Sequence, residues 1–116
     1  MKNSKFANKK VLIKGLGACE GVIEGVVKIV FDPSEVNNLP PNTILVVPNT
    51  DPSWATLLLQ AKGIITNTGN LLCHAAIVAR EFEIPCIVGT INATEVLKNG
   101  QKILMDGGKG EVYDIK

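Results

Sequence analysis

The sequence has little of what defines several large classes of protein. Its longest uninterrupted apolar runs are about five residues, whereas a membrane-spanning helix needs about twenty. Aromatic residues make up only 4% of the chain, too few for a platform on which bases stack. The 12 Lys and Arg residues are balanced by 11 Asp and Glu, so there is no excess of positive charge for DNA, RNA or an anionic membrane. We therefore expect neither a nucleic acid nor a membrane as partner.

Cysteine is also scarce and lacks any metal-binding spacing. The three residues, Cys19, Cys73 and Cys86, are odd in number and far apart, which argues against a disulfide framework and a structural zinc site. We expect reduced thiols in a cytoplasmic protein, with no metal ligands. The phosphate-binding loop of nucleoside triphosphatases is missing and the four aspartates are scattered, so this chain alone is not expected to hold magnesium and ATP.

A glycine-rich stretch, Gly15–Gly21, has the G-x-G opening of a dinucleotide-binding turn. That turn requires a helix next, because the helix N-terminus holds the pyrophosphate. The following residues, Val22–Val30, are rich in β-branched side chains and favour a strand. The stretch is therefore interpreted as a glycine-rich β-turn without a nucleotide.

The length of 116 residues and the 46% hydrophobic content are typical of one globular domain. Met1–Lys10 is polar and lysine-rich and is expected to be a flexible leader, with residues 11–116 forming the single domain. Strands are predicted near both ends, and the middle alternates strand and helix. The apolar spacing predicts one helix after Asp51-Pro52, with Trp54, Leu57, Leu58 and Ala61 on its buried side, and a second over 74–82, with Ala75, Val78, Ala79 and Phe82 buried. The expected class is α/β: a β-rich sheet or partial barrel packed on a layered β/α unit.

The chain has one histidine, His74, and its setting is chemically suggestive. It follows a glycine turn at Gly69 and begins the second predicted helix, where free amides and the helix dipole favour an anion. Imidazole is largely neutral at neutral pH and is then a nucleophile. The small side chains of Ala75 and Ala76 are expected to leave room for a phosphoryl group, and Ala75→Asp to repel one without disturbing the fold. A lone histidine is equally typical of a polar cap or a hydrogen-bonded core residue.

A nucleophilic pair of Cys73 with His74 is not expected. Successive side chains on a helix point about 100° apart and do not face each other. An acyl-transfer site would also need an orienting third group and an oxyanion site, and neither is apparent in the sequence.

An ordered series of short motifs resembles the mobile phosphohistidine domain of the phosphoenolpyruvate-utilising enzymes, which include phosphoenolpyruvate synthase, pyruvate phosphate dikinase and rifampicin phosphotransferase. The series extends over most of the chain and comprises Gly21, Gly25, Ile44–Val47, Thr50–Pro52, Gly63–Thr66, Cys73–Glu81, Ile84–Thr90, Ala93-Thr94, Leu97, Asn99–Gln101, Asp106-Gly107, Gly110 and Val112-Tyr113. The resemblance implies a swivelling β/β/α domain that carries a phosphoryl group on His74. It also implies that Mg²⁺ and ATP or phosphoenolpyruvate bind to partner domains, one for nucleotide and one for the second substrate, with no cofactor in this chain.

Further residues follow from the same resemblance. Gly69 matches the family's glycine turn and Arg80 its helix arginine, so Gly69, Cys73, Ala75, Ala76 and Arg80 are the expected supporting residues around His74. For Arg80, six positions beyond His74, a structural or docking role is as well supported as a phosphate contact. Two positions depart from the pattern. Asn70 replaces a second glycine, and Leu72 replaces a threonine that is regulatory in several members, so control by phosphorylation of that residue is not expected. These departures leave open an alternative function, a non-catalytic scaffold or regulatory binding module with the same fold.

Overall fold

A computed structural model describes residues 10–115. The expected leader, Met1–Lys10, lies almost wholly outside the described residues. The secondary structure consists of eight strands and three α-helices within that range: β1 (Val11–Lys14), β2 (Leu16–Cys19), β3 (Val22–Ile29), β4 (Thr43–Val47), α1 (Ala55–Gln60), β5 (Gly63–Thr66), α2 (His74–Phe82), β6 (Cys86–Val88), α3 (Ala93–Val96), β7 (Lys102–Asp106) and β8 (Glu111–Asp114). Short 3-10 turns form at Pro33–Glu35 and at Pro52–Trp54, the second leading directly into α1.

All eight strands belong to one mixed sheet, in the order β1-β8-β7-β3-β4-β5-β6-β2. Strands β3, β4, β5 and β6 are mutually parallel, while β8, β7 and β2 pair antiparallel with their neighbours. The α/β class is confirmed. The expected β-rich sheet and the β/α unit are, however, two parts of a continuous sheet and not separate layers.

The two edge strands of this sheet are consecutive in the chain. Only Gly15 separates β1 from β2, so the sheet must curl until its edges meet at that residue. The turn between β7 and β8 packs across the meeting point, and a Cβ atom on Gly17 would lie 2.4 Å from the carbonyl oxygen of Gly107. Glycine is required there because a side chain would collide with backbone.

The prediction of a β-turn over Gly15–Gly21 is therefore wrong. Residues Leu16–Cys19 form β2, which pairs antiparallel with β6, and Ala18 contributes to the core. The glycines of this stretch allow two chain segments to approach each other closely. The local sequence pattern does not distinguish such a close approach from a turn.

The core has two parts, one on each face of the central strands. Strand β4 is buried on both faces, as expected for a parallel strand covered on both sides. Trp54, Leu57, Leu58 and Ala61 are buried beneath one face, as their spacing predicts. The buried side of α2 is formed by Ala75, Ala76 and Ala79, whereas Phe82 is exposed, which corrects the predicted stripe. Helix α2 ends at Phe82, and Ile84 fills the core instead.

Candidate functional site

The strands β4 and β5 lie side by side and parallel, so the loops that follow them meet at one edge of the sheet. Thr50 lies in the loop after β4, and His74 ends the loop after β5 by opening α2. The Oγ1 atom of Thr50 is 3.0 Å from Nδ1 of His74, and both residues are half-buried. This contact fixes one ring nitrogen, while the described residues show no recorded partner for Nε2.

Helix α2 begins without a side-chain cap. Cys73 occupies the N-cap position with extended backbone, and its thiol makes no capping hydrogen bond. The first amides of an α-helix lack partners within the helix, and the helix dipole adds positive potential at this end. The start of α2 is therefore a favourable place for a negatively charged group beside His74.

The turn before His74 is built from a left-handed glycine and an asparagine side chain. Gly69 has φ 115°, a conformation that strongly favours glycine, and a Cβ there would lie 2.8 Å from the Cys73 sulfur. Asn70 has no positive φ, so the missing second glycine does not strain the backbone. Its Oδ1 accepts a hydrogen bond from the amide of Leu72 at 2.8 Å, and its carbonyl accepts one from the amide of Cys73. The substitution of Asn70 for glycine is thus compatible with a well-formed turn.

A small cavity of about 80 Å³ adjoins the start of α2. Its lining includes Thr50, Thr66, Thr68, Gly69, Cys73 and Ala75. The side chains of Ala75 and Ala76 are 1% and 0% exposed and pack in the core. That both alanines leave room for a phosphoryl group stays a prediction. Ala75 lines the cavity, and an aspartate at position 75 would place a carboxylate among buried side chains.

The supporting residues named from the sequence lie in different places. Gly69 and Cys73 are at the site itself. Arg80 is not beside His74; its guanidinium donates to the carbonyl oxygens of Leu71 and Ala18, at 2.6 and 3.3 Å. Leu72 is 80% exposed. The sequence analysis does not identify Thr50 as a site residue; the parallel pairing of β4 with β5 is what brings the loops after the two strands together.

Two of the three thiols, those of Cys19 and Cys86, have raised pKa values. Burial raises the pKa of Cys86 to about 12 and also raises the pKa of Cys19, which leaves both thiols protonated at neutral pH. Among residues 10–115, no three His, Cys, Asp or Glu side chains are grouped so that they could hold a metal ion. No helix in that same range is long and apolar enough to cross a membrane.

Together the fold and the site define an α/β domain that presents one imidazole at an uncapped helix start. Residues 39–110 match the model of the family described as "PEP-utilising enzyme, mobile domain". The chain is 45% identical over 112 residues to a probable phosphoenolpyruvate synthase of Staphylothermus marinus, covering 95% of this chain and 13% of that protein. It is 43% identical over 104 residues to the phosphoenolpyruvate synthase of Pyrococcus furiosus, covering 90% and 13%. The chain belongs to the mobile-domain family of PEP-utilising enzymes.

One further relative and two solved structures are also similar to this chain. An uncharacterized phosphotransferase of Bacillus subtilis, YvkC, is 45% identical over 100 residues, 86% of this chain and 12% of its own length. A solution structure of an Enzyme I protein superimposes with a TM-score of 0.56 at 32% identity, over 64% of this chain and 31% of the other. An aconitase X from Thermococcus kodakaraensis shares the fold, with a TM-score of 0.66 at 23% identity over 90% and 98% of the two chains. The chain spans about an eighth of the length of the curated relatives cited here.

Proposed function

We propose that this chain is a phosphocarrier, in which Nε2 of His74 accepts a phosphoryl group from a donor domain and passes it to an acceptor. The observation that carries the proposal is the contact between Thr50 Oγ1 and His74 Nδ1 at the open start of α2. The setting is a phosphoenolpyruvate synthase-like or dikinase-like phosphotransferase in the cytoplasm. The chain is a component of that enzyme and is not competent alone.

Thr50 selects the nitrogen that reacts. A neutral imidazole carries its proton on one nitrogen and a lone pair on the other. When the N–H of Nδ1 donates to the Thr50 oxygen, the lone pair resides on Nε2, which becomes the nucleophile. The Nε2–P bond forms as the bond between phosphorus and the donor's leaving oxygen breaks. The proton on Nδ1 stays where it is, held by Thr50, and no base is needed to remove it.

The start of α2 stabilises the charge that arrives with the phosphoryl group. Its free amides and dipole act on a phosphate placed beside His74. From Gly63 to Ala79 the sequence contains no Asp, Glu, Lys or Arg, so this segment supplies no neutralising cation, while the Asp51 carboxylate follows Thr50 in the neighbouring loop. The cations therefore come from the partner, as Mg²⁺ with ATP or as the binding site for phosphoenolpyruvate. Positioning and electrostatic stabilisation are the main contributions a protein makes to phosphoryl transfer.

The proposal is tested by labelling. The chain is incubated with partner domains and either radiolabelled phosphoenolpyruvate or ATP labelled in the β- or γ-phosphate, and the product is analysed by mass spectrometry. We expect one phosphoryl group that is acid-labile, base-stable and absent from His74→Ala. A second labelling with phosphoramidate, a small-molecule donor, removes the dependence on a partner. Absence of label on His74 from every donor overturns the carrier and favours the alternative, a scaffold that binds partners without chemistry.

A further inference from the structure

Arg80 makes an unusual set of contacts for a surface residue on the second turn of α2. Its Nη2 donates to the carbonyl oxygen of Leu71 at 2.6 Å, and its Nη1 donates to that of Ala18 at 3.3 Å. Side chains on a helix lean toward its N-terminus, which lets the guanidinium reach the loop that precedes His74. One planar group thus joins three elements: helix α2, strand β2 and the 69–73 loop.

The loop depends on this contact. Between Gly69 and Cys73, the other hydrogen bonds recorded in the described part of the chain are local, from Leu72 and Cys73 to Asn70, apart from the first bond of α2 itself. The bond from Arg80 to Leu71 is the one recorded there that reaches across nine residues of sequence. Without it, residues 69–73 are held by their own local bonds and by the two ends of the segment, where Thr68 is bonded to Pro48 and Gly89 and His74 contacts Thr50.

The sequence uses arginine at this position and nowhere else. Of the 12 basic residues, Arg80 is the only arginine and the remainder are lysines. Lysine serves as a surface charge, whereas the guanidinium holds two acceptors in fixed directions, which an ammonium does not. The choice indicates that geometry, and not charge alone, is needed there.

We propose that Arg80 is a positioning residue for the phosphoryl transfer: it fixes the Leu71 carbonyl against β2, and so holds the loop, the start of α2 and the ring of His74 in the orientation that keeps Nδ1 on Thr50. The inference rests on the proposed function of His74. Two N–H groups of Arg80 are engaged by backbone carbonyls, and among residues 10–115 no hydrogen bond joins its guanidinium to the ring of His74.

The test uses three variants of the full chain. Arg80→Met removes both hydrogen bonds, Arg80→Lys keeps the charge without the two-pronged geometry, and Lys98→Met removes a cation elsewhere as a control. The first readout needs no phosphoryl donor: the ¹⁵N shifts of the His74 ring report the fraction of the Nδ1–H tautomer across pH. The second readout is the rate and the ring position of labelling by phosphoramidate.

We expect a single dominant Nδ1–H tautomer in the wild type and Lys98→Met, and a mixture in Arg80→Met. Labelling at Nε2 should slow by roughly tenfold or more in Arg80→Met, because small misplacements of a reacting group are costly. The tautomer mixture and the labelling rate of Arg80→Lys should be close to those of Arg80→Met. If Arg80→Lys instead behaves as the wild type, charge alone suffices and the inference is wrong. An unchanged tautomer and rate in folded Arg80→Met also overturns it.

Loss of folding is separated from loss of positioning by measuring near-UV circular dichroism on each variant. If Arg80→Met is unfolded, Arg80→Gln, which retains one donor group, gives the same two readouts. A wild-type chain with the expected tautomer that phosphoramidate never labels contradicts the proposed function and leaves the positional role of Arg80 intact. The two failures are therefore distinguishable.

Discussion

Two helical segments begin side by side at the same edge of the sheet, and they begin differently. After β4, Asp51 caps the turn at Pro52–Trp54: its Oδ1 accepts from the amide of Ser53 at 2.8 Å and from the hydroxyl of that residue. After β5, Cys73 stands at the equivalent position before α2 and caps nothing. The first start is closed by its own side chains, whereas the second is left open.

Under the proposed function, the open start is where this fold has less stability than a capped helix would give. A capping side chain typically stabilises a helix by about 1 kcal/mol, and α2 forgoes it. The loop that leads to the closed start also contributes a contact to the open start, because Thr50, next to Asp51, is the residue that contacts His74. The hydrogen bonds of the Ser53 hydroxyl and amide hold the pKa of Asp51 below its usual range, so the carboxylate remains ionised as a cap.

Closing the open start should have the largest effect. Cys73→Asp places a carboxylate where it caps α2, so we expect a higher midpoint of thermal unfolding together with a loss of phosphoramidate labelling of about a hundredfold, because the carboxylate occupies the amides and repels phosphate. Cys73→Ser, an uncharged cap, is the control, and its labelling rate should fall by less than that of Cys73→Asp. The readouts are the melting curve and the labelling rate. Full labelling of Cys73→Asp would show that the free amides are not used.

Removing the link between the two starts should have the next largest effect. Thr50→Val keeps the shape of the side chain but removes the oxygen that accepts from Nδ1, so Nε2 labelling should fall by roughly tenfold and part of the label should move to Nδ1. Thr50→Ser retains the hydroxyl and should stay close to the wild type. Peptide mapping with ³¹P NMR distinguishes the two phosphoimidazoles. Equal rates for the valine and serine variants would exclude a role for the hydroxyl.

Opening the closed start should reduce stability in a pH-dependent manner. The folded-state pKa of Asp51 is lowered, so its contribution is present above the ordinary pKa of a carboxyl group and is lost as the pH falls through the lowered value. Asp51→Ala should therefore unfold at lower urea concentration than the wild type at neutral pH. The difference should vanish in acid, once the carboxyl is protonated in both states. If the difference in urea midpoint between Asp51→Ala and the wild type persists at low pH, the packing of the Asp51 side chain, and not its charge, accounts for the stability.

The far end of α2 provides the smallest effect and a reference for a helix terminus without chemistry. Glu83 is exposed and has φ 57°, the left-handed conformation that favours glycine at a helix end. Glu83→Gly should raise the free energy of unfolding by about 0.5–1 kcal/mol without altering labelling. The matched Glu81→Gly, within the helix, should lower it by about 1 kcal/mol. Chemical denaturation of both variants checks the sign of each change in the free energy of unfolding.

Local patterns in the sequence predicted the elements that local physics decides. Strand β4 follows from its run of apolar residues between turn signals, and α2 begins and ends at the predicted residues, His74 and Phe82. The position of His74 at a helix start was likewise readable from the glycine turn before it. The exposure of Phe82 could not be predicted in this way, because the helix ends at this residue and its side chain faces solvent.

Long-range geometry accounts for what the sequence missed. The strand β2 has a glycine at its second position and no apolar run, and it forms by pairing with the edge of β6. The contact of Thr50 with His74 joins residues 24 positions apart and depends on the order of the strands. The carbonyls that Arg80 binds carry no side-chain signal at all, so only the folded backbone reveals them.

The single glycine between β1 and β2 has a consequence for a domain that works among partners. An open sheet of this size would present two long edges, and unpaired edges readily recruit strands from other molecules. Here Gly15 joins the two edge strands, and its amide is bonded to the carbonyl of Gly110. Because the two edges meet at Gly15, the curled sheet offers less open edge to a strand from another molecule than a flat sheet of eight strands would.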